Sequence, residues 1–169
     1  MCKPILLIGM MGCGKSTIGR LLAGRMGLPL IDLVEEIARA AGRSIPEIFA
    51  EEGAAGFRLH ETAALGRALD AGEAVIATGG GIVTREENIR MMREKGVVVW
   101  LCRPLEDMIA DVRQDTRPNL AGDKEERMRT LYAQRAHLYE AAAHLQFDNR
   151  MPPREAAKML EKLLTERKK

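Results

Sequence analysis

Short apolar runs recur along the chain, and longer stretches with helical spacing of apolar residues lie between them. The runs are too short for buried helices and too evenly apolar for strands with one wet face, which indicates strands inside a sheet. An alternation of such strands with helices is typical of the α/β class, with parallel strands. The predicted strands are residues 4–8, 28–31, 74–78, 97–101 and 145–148.

Helix signals in the segments between the strands are specific at several places. Residues 44–47 read Ser-Ile-Pro-Glu, a capping box with proline near the helix start, and Gly53 is expected to break the helix that follows. A second helix is predicted for residues 54–71, where Arg58 and Glu61 stand three apart, and residue types alone favour a solvated surface ion pair. The final helix opens at residues 152–153. Its predicted core stripe is Ala156, Met159, Leu160 and Leu163.

The first strand leads directly into a glycine pattern, residues 9–17, that reads Gly-Met-Met-Gly-Cys-Gly-Lys-Ser-Thr. It matches G-x-x-x-x-G-K-[ST] at every fixed position, in the strand–loop–helix context that a phosphate-binding P-loop requires. The glycines let successive N–H groups turn toward a phosphate. Lys15 would supply a charge for the outer phosphates, and the Ser16 hydroxyl is suited to a bound Mg²⁺.

Composition narrows the class of partner. A length of 169 residues suits one α/β domain. The net charge of +2 gives no general basic field, so neither nucleic acid nor a membrane is expected as a partner. No apolar run approaches the roughly 20 residues that a membrane span needs. Three cysteines without metal-like spacing, and no export signal, predict a cytoplasmic protein. The expected partner is a small phosphorylated or carboxylated molecule, and we expect a monomer.

Candidate chemistry follows the strand ends and one polar loop. Asp32 ends the second strand, where its carboxylate could hold a water of a Mg²⁺ shell, cap the next helix, or do both. The run Gly79-Gly80-Gly81 follows the third strand and suggests either close approach of a ligand or a tight turn. Residues 115–123 are polar and turn-rich around Arg117, which favours a lid over an ordinary connecting loop.

With these motifs in order along nearly its full length, the sequence resembles the shikimate kinases. The resemblance implies a three-layer α/β/α P-loop kinase of one domain, residues 1–169, around a five-stranded parallel sheet in the order 2-3-1-4-5. It also implies a substrate-binding helical insertion at about residues 33–61 and a lid at about residues 112–124. The implied reaction transfers the γ-phosphate of ATP to the 3-hydroxyl of shikimate, with Mg²⁺, on the route to chorismate and the aromatic amino acids.

The resemblance also implies a role for each site residue. Arg58, in Gly-Phe-Arg-x-x-Glu, and Arg135, in Leu-Tyr-x-x-Arg-x-x-Leu-Tyr, would grip the substrate carboxylate beside Gly79, Gly80 and Gly81. Lys15, Asp32 and the lid residue Arg117 would be catalytic. Ser16 and Asp32 would lie on the Mg²⁺ side, and Arg150 would border the adenine. The residues implied to bind ATP are Gly12, Cys13, Gly14, Lys15, Ser16, Thr17, Arg117 and Arg150.

Two positions depart from the family pattern. The family has Asp-x-Asp after the second strand, where this chain has Asp32-Leu33-Val34, so the aspartate presumed to be the general base is replaced by valine. An arginine that usually stacks on adenine is replaced in the region of Ala110, and Arg113 is the candidate substitute. Because general-base help is worth about 10² to 10⁴ in rate, an impaired shikimate kinase remains expected. The alternatives are a same-fold kinase for another small hydroxy acid and a non-catalytic nucleotide-binding module.

Overall fold

A sheet of parallel strands lies at the centre of the molecule. The computed structural model describes residues 2–112 and 123–169. The strands are β1 (Ile5–Ile8), β2 (Leu30–Asp32), β3 (Val75–Ala77), β4 (Val97–Cys102) and β5 (Leu145–Asp148). Their spatial order is β2-β3-β1-β4-β5, so the predicted fold class and strand order are confirmed.

Helices flank this sheet. They are α1 (Lys15–Met26), α2 (Leu33–Ala41), α3 (Ile45–Asp70), α4 (Glu86–Lys95), α5 (Leu105–Val112), α6 (Lys124–Ala142) and α7 (Pro153–Arg167). In the described residues α1 packs against α7, α2 packs against α3, and α4 contacts both α3 and α6. A 3-10 turn at Ile82–Thr84 follows the glycine run. None of the helices described is both long enough and apolar enough to cross a bilayer.

Burial follows position in the sheet. Every residue of β1 is buried, since this strand lies between β3 and β4 and both of its faces are covered. The prediction that the second strand is buried is wrong: Leu30 is exposed, because β2 lies at the edge of the sheet with β3 as its partner. The register pairs Leu7 of β1 and Asp32 of β2 with the same residue of β3, Ala77. The carboxyl ends of these three strands therefore lie side by side. Their following loops therefore meet.

Local signals in α3 behave as predicted. The Ser44 hydroxyl accepts a hydrogen bond from the Glu47 N–H at 3.3 Å, and Gly53 interrupts the helix with a φ of 70° and a ψ of −175°. A φ of this sign is strained for a side chain other than glycine, so Gly53 sets the angle between the two halves of α3.

The predicted core stripe of α7 is partly wrong. Met159 and Leu163 are exposed, whereas Ala156, Leu160 and Leu164 are buried. These three residues recur every four positions and, with the buried Ala157, form the buried face of the helix, which contacts α1.

Candidate functional site

A cavity of about 1230 Å³ lies beyond the carboxyl ends of the strands. This is where parallel α/β sheets bind ligands, because loops from several strands converge there. In the described part of the chain, most of the predicted site residues line this cavity. They are Gly12, Gly14, Lys15, Ser16, Thr17, Asp32, Arg58, Gly79, Gly80, Gly81, Arg135 and Arg150.

The P-loop occupies one side of the cavity. Gly9, Gly12 and Gly14 have φ values of 145°, 82° and 101°, so the loop uses conformations that other residues rarely adopt. Gly14 is the N-cap of α1, and no side chain of the described residues caps that end. The Lys15 Nζ donates hydrogen bonds to the carbonyl oxygens of Gly9, at 2.7 Å, and Met10, at 3.0 Å. The helix end and the ammonium group together form a site for an anion.

Cys13 differs from the other predicted P-loop residues. Its side chain is buried, with the Sγ facing the Gly9 backbone and lying 3.7 Å from the Lys15 Nζ. The structure does not place the thiol in the cavity, so any contact that Cys13 makes with a ligand must come from its backbone. The Asn149 Nδ2 donates to the Cys13 carbonyl at 2.7 Å and thereby holds this peptide from behind. Sequence reasoning missed Asn149, although its position directly after β5 is a usable signal.

Asp32 stands at the end of β2 and caps α2. Its Oδ1 accepts hydrogen bonds from the N–H groups of Val34, at 3.1 Å, and Glu35, at 3.3 Å. The capping role is confirmed, while Asp32 also lines the cavity with the exposed Ser16. Carboxylate and hydroxyl oxygens are ligands that Mg²⁺ accepts, so the two residues fit the predicted metal position.

The glycine run forms the floor of the cavity, and each of its glycines faces a different site residue. A side chain at Gly81 would overlap the Arg58 guanidinium, and one at Gly80 would lie 3.6 Å from the Arg135 Nη1. Gly80 also lies beside the P-loop, 3.6 Å from the Met11 nitrogen by the same measure. The two arginines are 77 positions apart in the sequence and still converge on adjacent glycines, next to the phosphate loop.

Glu61 holds Arg58 in place. The Arg58 Nη1 donates to Glu61 Oε1 at 2.8 Å, and the Glu61 side chain is 0% exposed, so the predicted surface ion pair is in fact a buried one. Burial raises the pKa of the Glu61 carboxyl, and the nearby guanidinium of Arg58 lowers it in part. Removal of one partner from such a pair is costly, because the other charge remains buried. Glu61 is thus a site residue that residue types alone did not reveal.

Tyr139 is a second support that the sequence did not identify. Its ring is buried in α6, and its hydroxyl donates to the Gly80 carbonyl at 2.5 Å. Burial strongly raises the pKa of this hydroxyl, which therefore stays protonated and remains a donor. The same helix carries Arg135 one turn earlier, so α6 positions both the arginine and the glycine beneath it.

Of the other positions that the sequence singled out, Val34 and Arg150 are in the described part of the chain and Arg113 and Arg117 are not. Val34 lies in the first turn of α2, lines the cavity and is 36% exposed, with a methyl group facing Gly79. Arg150 lines the cavity near the start of α7 and is paired with Asp148 through contacts of 2.5 to 2.9 Å. The predicted lid arginine, Arg117, and Arg113 lie outside the described residues.

Comparison with known proteins agrees with this geometry. The model of one protein family, shikimate kinase, matches residues 11–165. A shikimate kinase of Ruegeria pomeroyi is 44% identical over 142 residues, which is 83% of this chain and 73% of that protein. The chain belongs to the shikimate kinase family. A further member, from Symbiobacterium thermophilum, is 41% identical over 165 residues, 94% of this chain and 95% of that protein.

Solved structures of this family share the fold closely. The shikimate kinase from Acinetobacter baumannii, solved in complex with shikimate, has a TM-score of 0.94 and 35% identity, covering 99% of this chain and 96% of that one. The shikimate kinase from Aquifex aeolicus has a TM-score of 0.84 and 31% identity, with 96% of each chain covered. The family resemblance that the motifs predicted is therefore confirmed.

Proposed function

We propose that this chain is an ATP-dependent kinase that transfers the γ-phosphate of ATP to the 3-hydroxyl of shikimate, releasing shikimate 3-phosphate and ADP. The product serves the route to chorismate and the aromatic amino acids. One observation supports this function most directly: the P-loop and the Arg58 and Arg135 guanidinium groups share one cavity, with Arg135 and the P-loop beside Gly80 and Arg58 beside the adjacent Gly81. A phosphate site next to a paired-arginine site suits transfer to a small carboxylic acid.

The phosphate side of the reaction would use the backbone of residues 12–17 and the Lys15 ammonium. Phosphoryl transfer passes through a loose transition state, in which positioning and neutralisation of charge supply most of the catalysis. The Lys15 Nζ now rests on two P-loop carbonyls, and an anionic phosphate would compete for its donors. Arg117 is our candidate for a second cation on the transferred group, and Arg150 is our candidate for contact with the adenine.

Mg²⁺ would be held through Ser16 and Asp32. Ser16 offers its hydroxyl, and Asp32 offers the oxygen that does not cap α2. When bound, the ion bridges phosphate oxygens and neutralises their charge. Asp32 keeps its capping role at the same time, because the two N–H groups bond only to Oδ1.

The acid side of the site would bind the substrate carboxylate with Arg58 and Arg135. Glu61 fixes the Arg58 side chain from below, so little rotamer freedom is left to lose when the acid binds. The Arg58 side chain is 22% exposed, which leaves part of its guanidinium edge open to the cavity. The glycine run lets both arginines approach the backbone, since a side chain there would occupy the same space.

Val34 favours a second candidate function, a kinase of the same fold that acts on another small hydroxy acid. A valine at this exposed cavity position cannot accept a hydrogen bond from a substrate hydroxyl. A substrate with hydrogen or an alkyl group facing Val34 would not miss that bond, whereas shikimate would. If the chain is a shikimate kinase, Val34 instead predicts a lower rate of phosphorylation and weaker binding of shikimate.

The discriminating experiment is a coupled assay of ADP release with ATP, Mg²⁺ and a panel of acids. The panel contains shikimate, its deoxy and dehydro relatives, gluconate and quinate. We expect shikimate to be phosphorylated with the highest kcat/KM of the panel. Because Val34 offers no acceptor to a substrate hydroxyl, the margin over the deoxy relatives should be smaller than in a site that binds that hydroxyl. Higher activity with another acid would establish the second candidate. Binding of ATP with no turnover of any acid would contradict both.

We predict that alanine at Arg58 or Arg135 raises KM for shikimate about tenfold or more, because each removes charge-assisted hydrogen bonds to the carboxylate. KM for ATP should stay within about twofold. Arg67→Ala is the matched control, since this exposed arginine of α3 does not line the cavity. An unchanged KM for shikimate in a folded Arg135→Ala protein would refute the assignment of the carboxylate.

Gly81→Ala should reproduce much of the Arg58→Ala effect without touching Arg58 itself. The φ of Gly81 is −96°, which alanine tolerates, and the nearest atoms to the new methyl group all belong to the Arg58 guanidinium. We expect a higher KM for shikimate and a lower Tm, because displacing the guanidinium weakens its pair with the buried Glu61. Gly66→Ala in α3 is the control: a methyl group there meets no atom within 4 Å, and it should leave KM unchanged while raising Tm. If the Gly81→Ala enzyme keeps the KM of the parent for shikimate, the prediction is wrong, because Arg58 then binds shikimate without a glycine at position 81.

A further inference from the structure

Arg103 lies beside the P-loop, lines the same cavity and was not assigned any role by the sequence. It follows β4 directly, and its side chain is 22% exposed. The Nη1 donates one hydrogen bond to the Gly12 carbonyl at 2.6 Å and another to Asp111 Oδ2 at 2.7 Å. Asp111 belongs to α5, so a single nitrogen connects the end of β4, the P-loop and α5.

The P-loop touches α5 at the same residue. A side chain at Gly12 would lie 3.3 Å from the Met108 carbonyl and 3.4 Å from a Val112 methyl, so α5 packs directly on this glycine. With a φ of 82°, Gly12 is also one of the loop positions that other residues rarely adopt. The Arg103 bond to the Gly12 carbonyl therefore acts where the loop adopts a glycine conformation and packs on a neighbouring helix.

The peptide between Gly12 and Cys13 is fixed at both ends. Arg103 binds its carbonyl oxygen, and its N–H donates to the Met10 carbonyl at 3.1 Å. Because a peptide unit is planar, holding these two groups sets the orientation of the whole unit and limits that of its neighbours. The next carbonyl along the chain, that of Cys13, is held by Asn149. The residues that follow, at the start of α1, line the cavity.

We propose that Arg103 is a positioning residue for the nucleotide, which shapes the P-loop by tying Gly12 to Asp111 on α5. This rests on the proposed function, in which the P-loop binds the phosphates of ATP. Without the tie, the loop would have to be ordered when the nucleotide binds, and that cost would appear in the affinity for ATP and ADP. The acid side of the cavity should not respond, since Arg103 contacts neither α3 nor the glycine run in the described residues.

The experiment compares Arg103→Met, Arg103→Lys and Asp111→Asn with the parent enzyme. Methionine keeps the apolar stem and removes every donor. Lysine restores a single charged nitrogen, and one nitrogen makes both bonds in the structure. Asparagine at 111 weakens the tie to α5 and leaves the bond to Gly12. The control is Arg129→Met, because one nitrogen of Arg129 likewise donates two hydrogen bonds, here to carboxylates of Glu106 in α5 and Glu125 in α6, and in the described residues neither goes to the P-loop.

We expect Arg103→Met to raise KM for ATP and the Kd for ADP about tenfold, the effect of losing a charged hydrogen bond, with KM for shikimate within about twofold. Arg103→Lys should recover part of that loss, and Asp111→Asn should show a smaller rise. A residue with a purely structural role would lower Tm and leave the KM of the folded enzyme unchanged. Equal effects of Arg103→Met and Arg129→Met on KM for ATP would overturn the proposal.

Two further outcomes are decisive. An Arg103→Met protein that binds ADP as tightly as the parent overturns the proposal, and so does one whose KM for shikimate rises by the same factor as its KM for ATP. If Arg103→Met does not fold, Arg103→Lys and Asp111→Asn carry the same comparison. Calorimetry with ADP needs no acid substrate. A parent protein that binds ADP without phosphorylating shikimate would therefore contradict the proposed function while leaving Arg103 open to this test.

Discussion

Lys15→Ala should lower kcat/KM for phosphoryl transfer about 10³-fold while the protein stays folded. The expected size is that of removing one fixed donor from a site where charge develops in the transition state. In the described residues the Lys15 Nζ bonds to two P-loop carbonyls and lies 3.7 Å from the Cys13 Sγ, so its removal costs contacts within the P-loop itself. The measurement is steady-state kinetics with ATP and shikimate, together with Tm.

The control for this experiment is Lys95→Ala. Lys95 is an exposed lysine at the end of α4 that pairs with Asp70, 2.8 Å away, and does not line the cavity. We expect it to change Tm slightly and kcat/KM not at all, since exposed pairs of this kind contribute little. A folded Lys15→Ala enzyme with full turnover would remove the P-loop from the mechanism.

Val34→Asp should raise kcat/KM for shikimate about tenfold to 10²-fold. An aspartate there could accept hydrogen bonds from substrate hydroxyls and take the proton of the attacking one, contributions typically worth at least tenfold together. The position suits a carboxylate, because it is 36% exposed to the cavity and lies in the first turn of α2, where the helix dipole favours negative charge. A carboxylate in a dry core would instead cost several kcal/mol.

Val34→Asn separates the two contributions. Asparagine accepts a hydrogen bond but is not a useful base, so it should recover binding, seen as a lower KM, with little of the gain in kcat. The pH dependence of kcat should acquire a new acidic limb in Val34→Asp alone. If neither variant improves turnover of shikimate and both keep the Tm of the parent, the result supports the second candidate function, a kinase for another small hydroxy acid.

Much of the fold could be predicted because its signals are local. The strand, the glycine pattern and the following helix of the P-loop are contiguous over residues 5–26, so their meaning does not depend on distant contacts. The Ser44 cap and the break at Gly53 were predicted for the same reason, since each reflects the backbone preference of one or two residues. Strand order came from the family resemblance rather than from the apolar pattern.

Burial was the property that local signals predicted least well. Leu30 is exposed because β2 is an edge strand, and the apolar run alone is equally compatible with an edge and a centre. Glu61 was predicted to lie on a solvated face, yet it is fully buried, because the face of α3 that carries it packs over the glycine run. The spacing of two charged residues reveals that they can meet and not how much water surrounds them.

The sequence by itself determined that the chain binds phosphate on a P-loop, belongs to an α/β class and carries a valine where its family has an aspartate. Only the tertiary structure decided that Arg58 and Arg135 stand on neighbouring glycines, that Tyr139 holds Gly80, and that Arg103 ties Gly12 to α5. The motif is read from contiguous residues, whereas these supporting contacts join segments up to 91 positions apart. The bonds of Tyr139 to Gly80 and of Arg103 to Gly12 end on backbone carbonyls, which every residue carries and no sequence pattern marks.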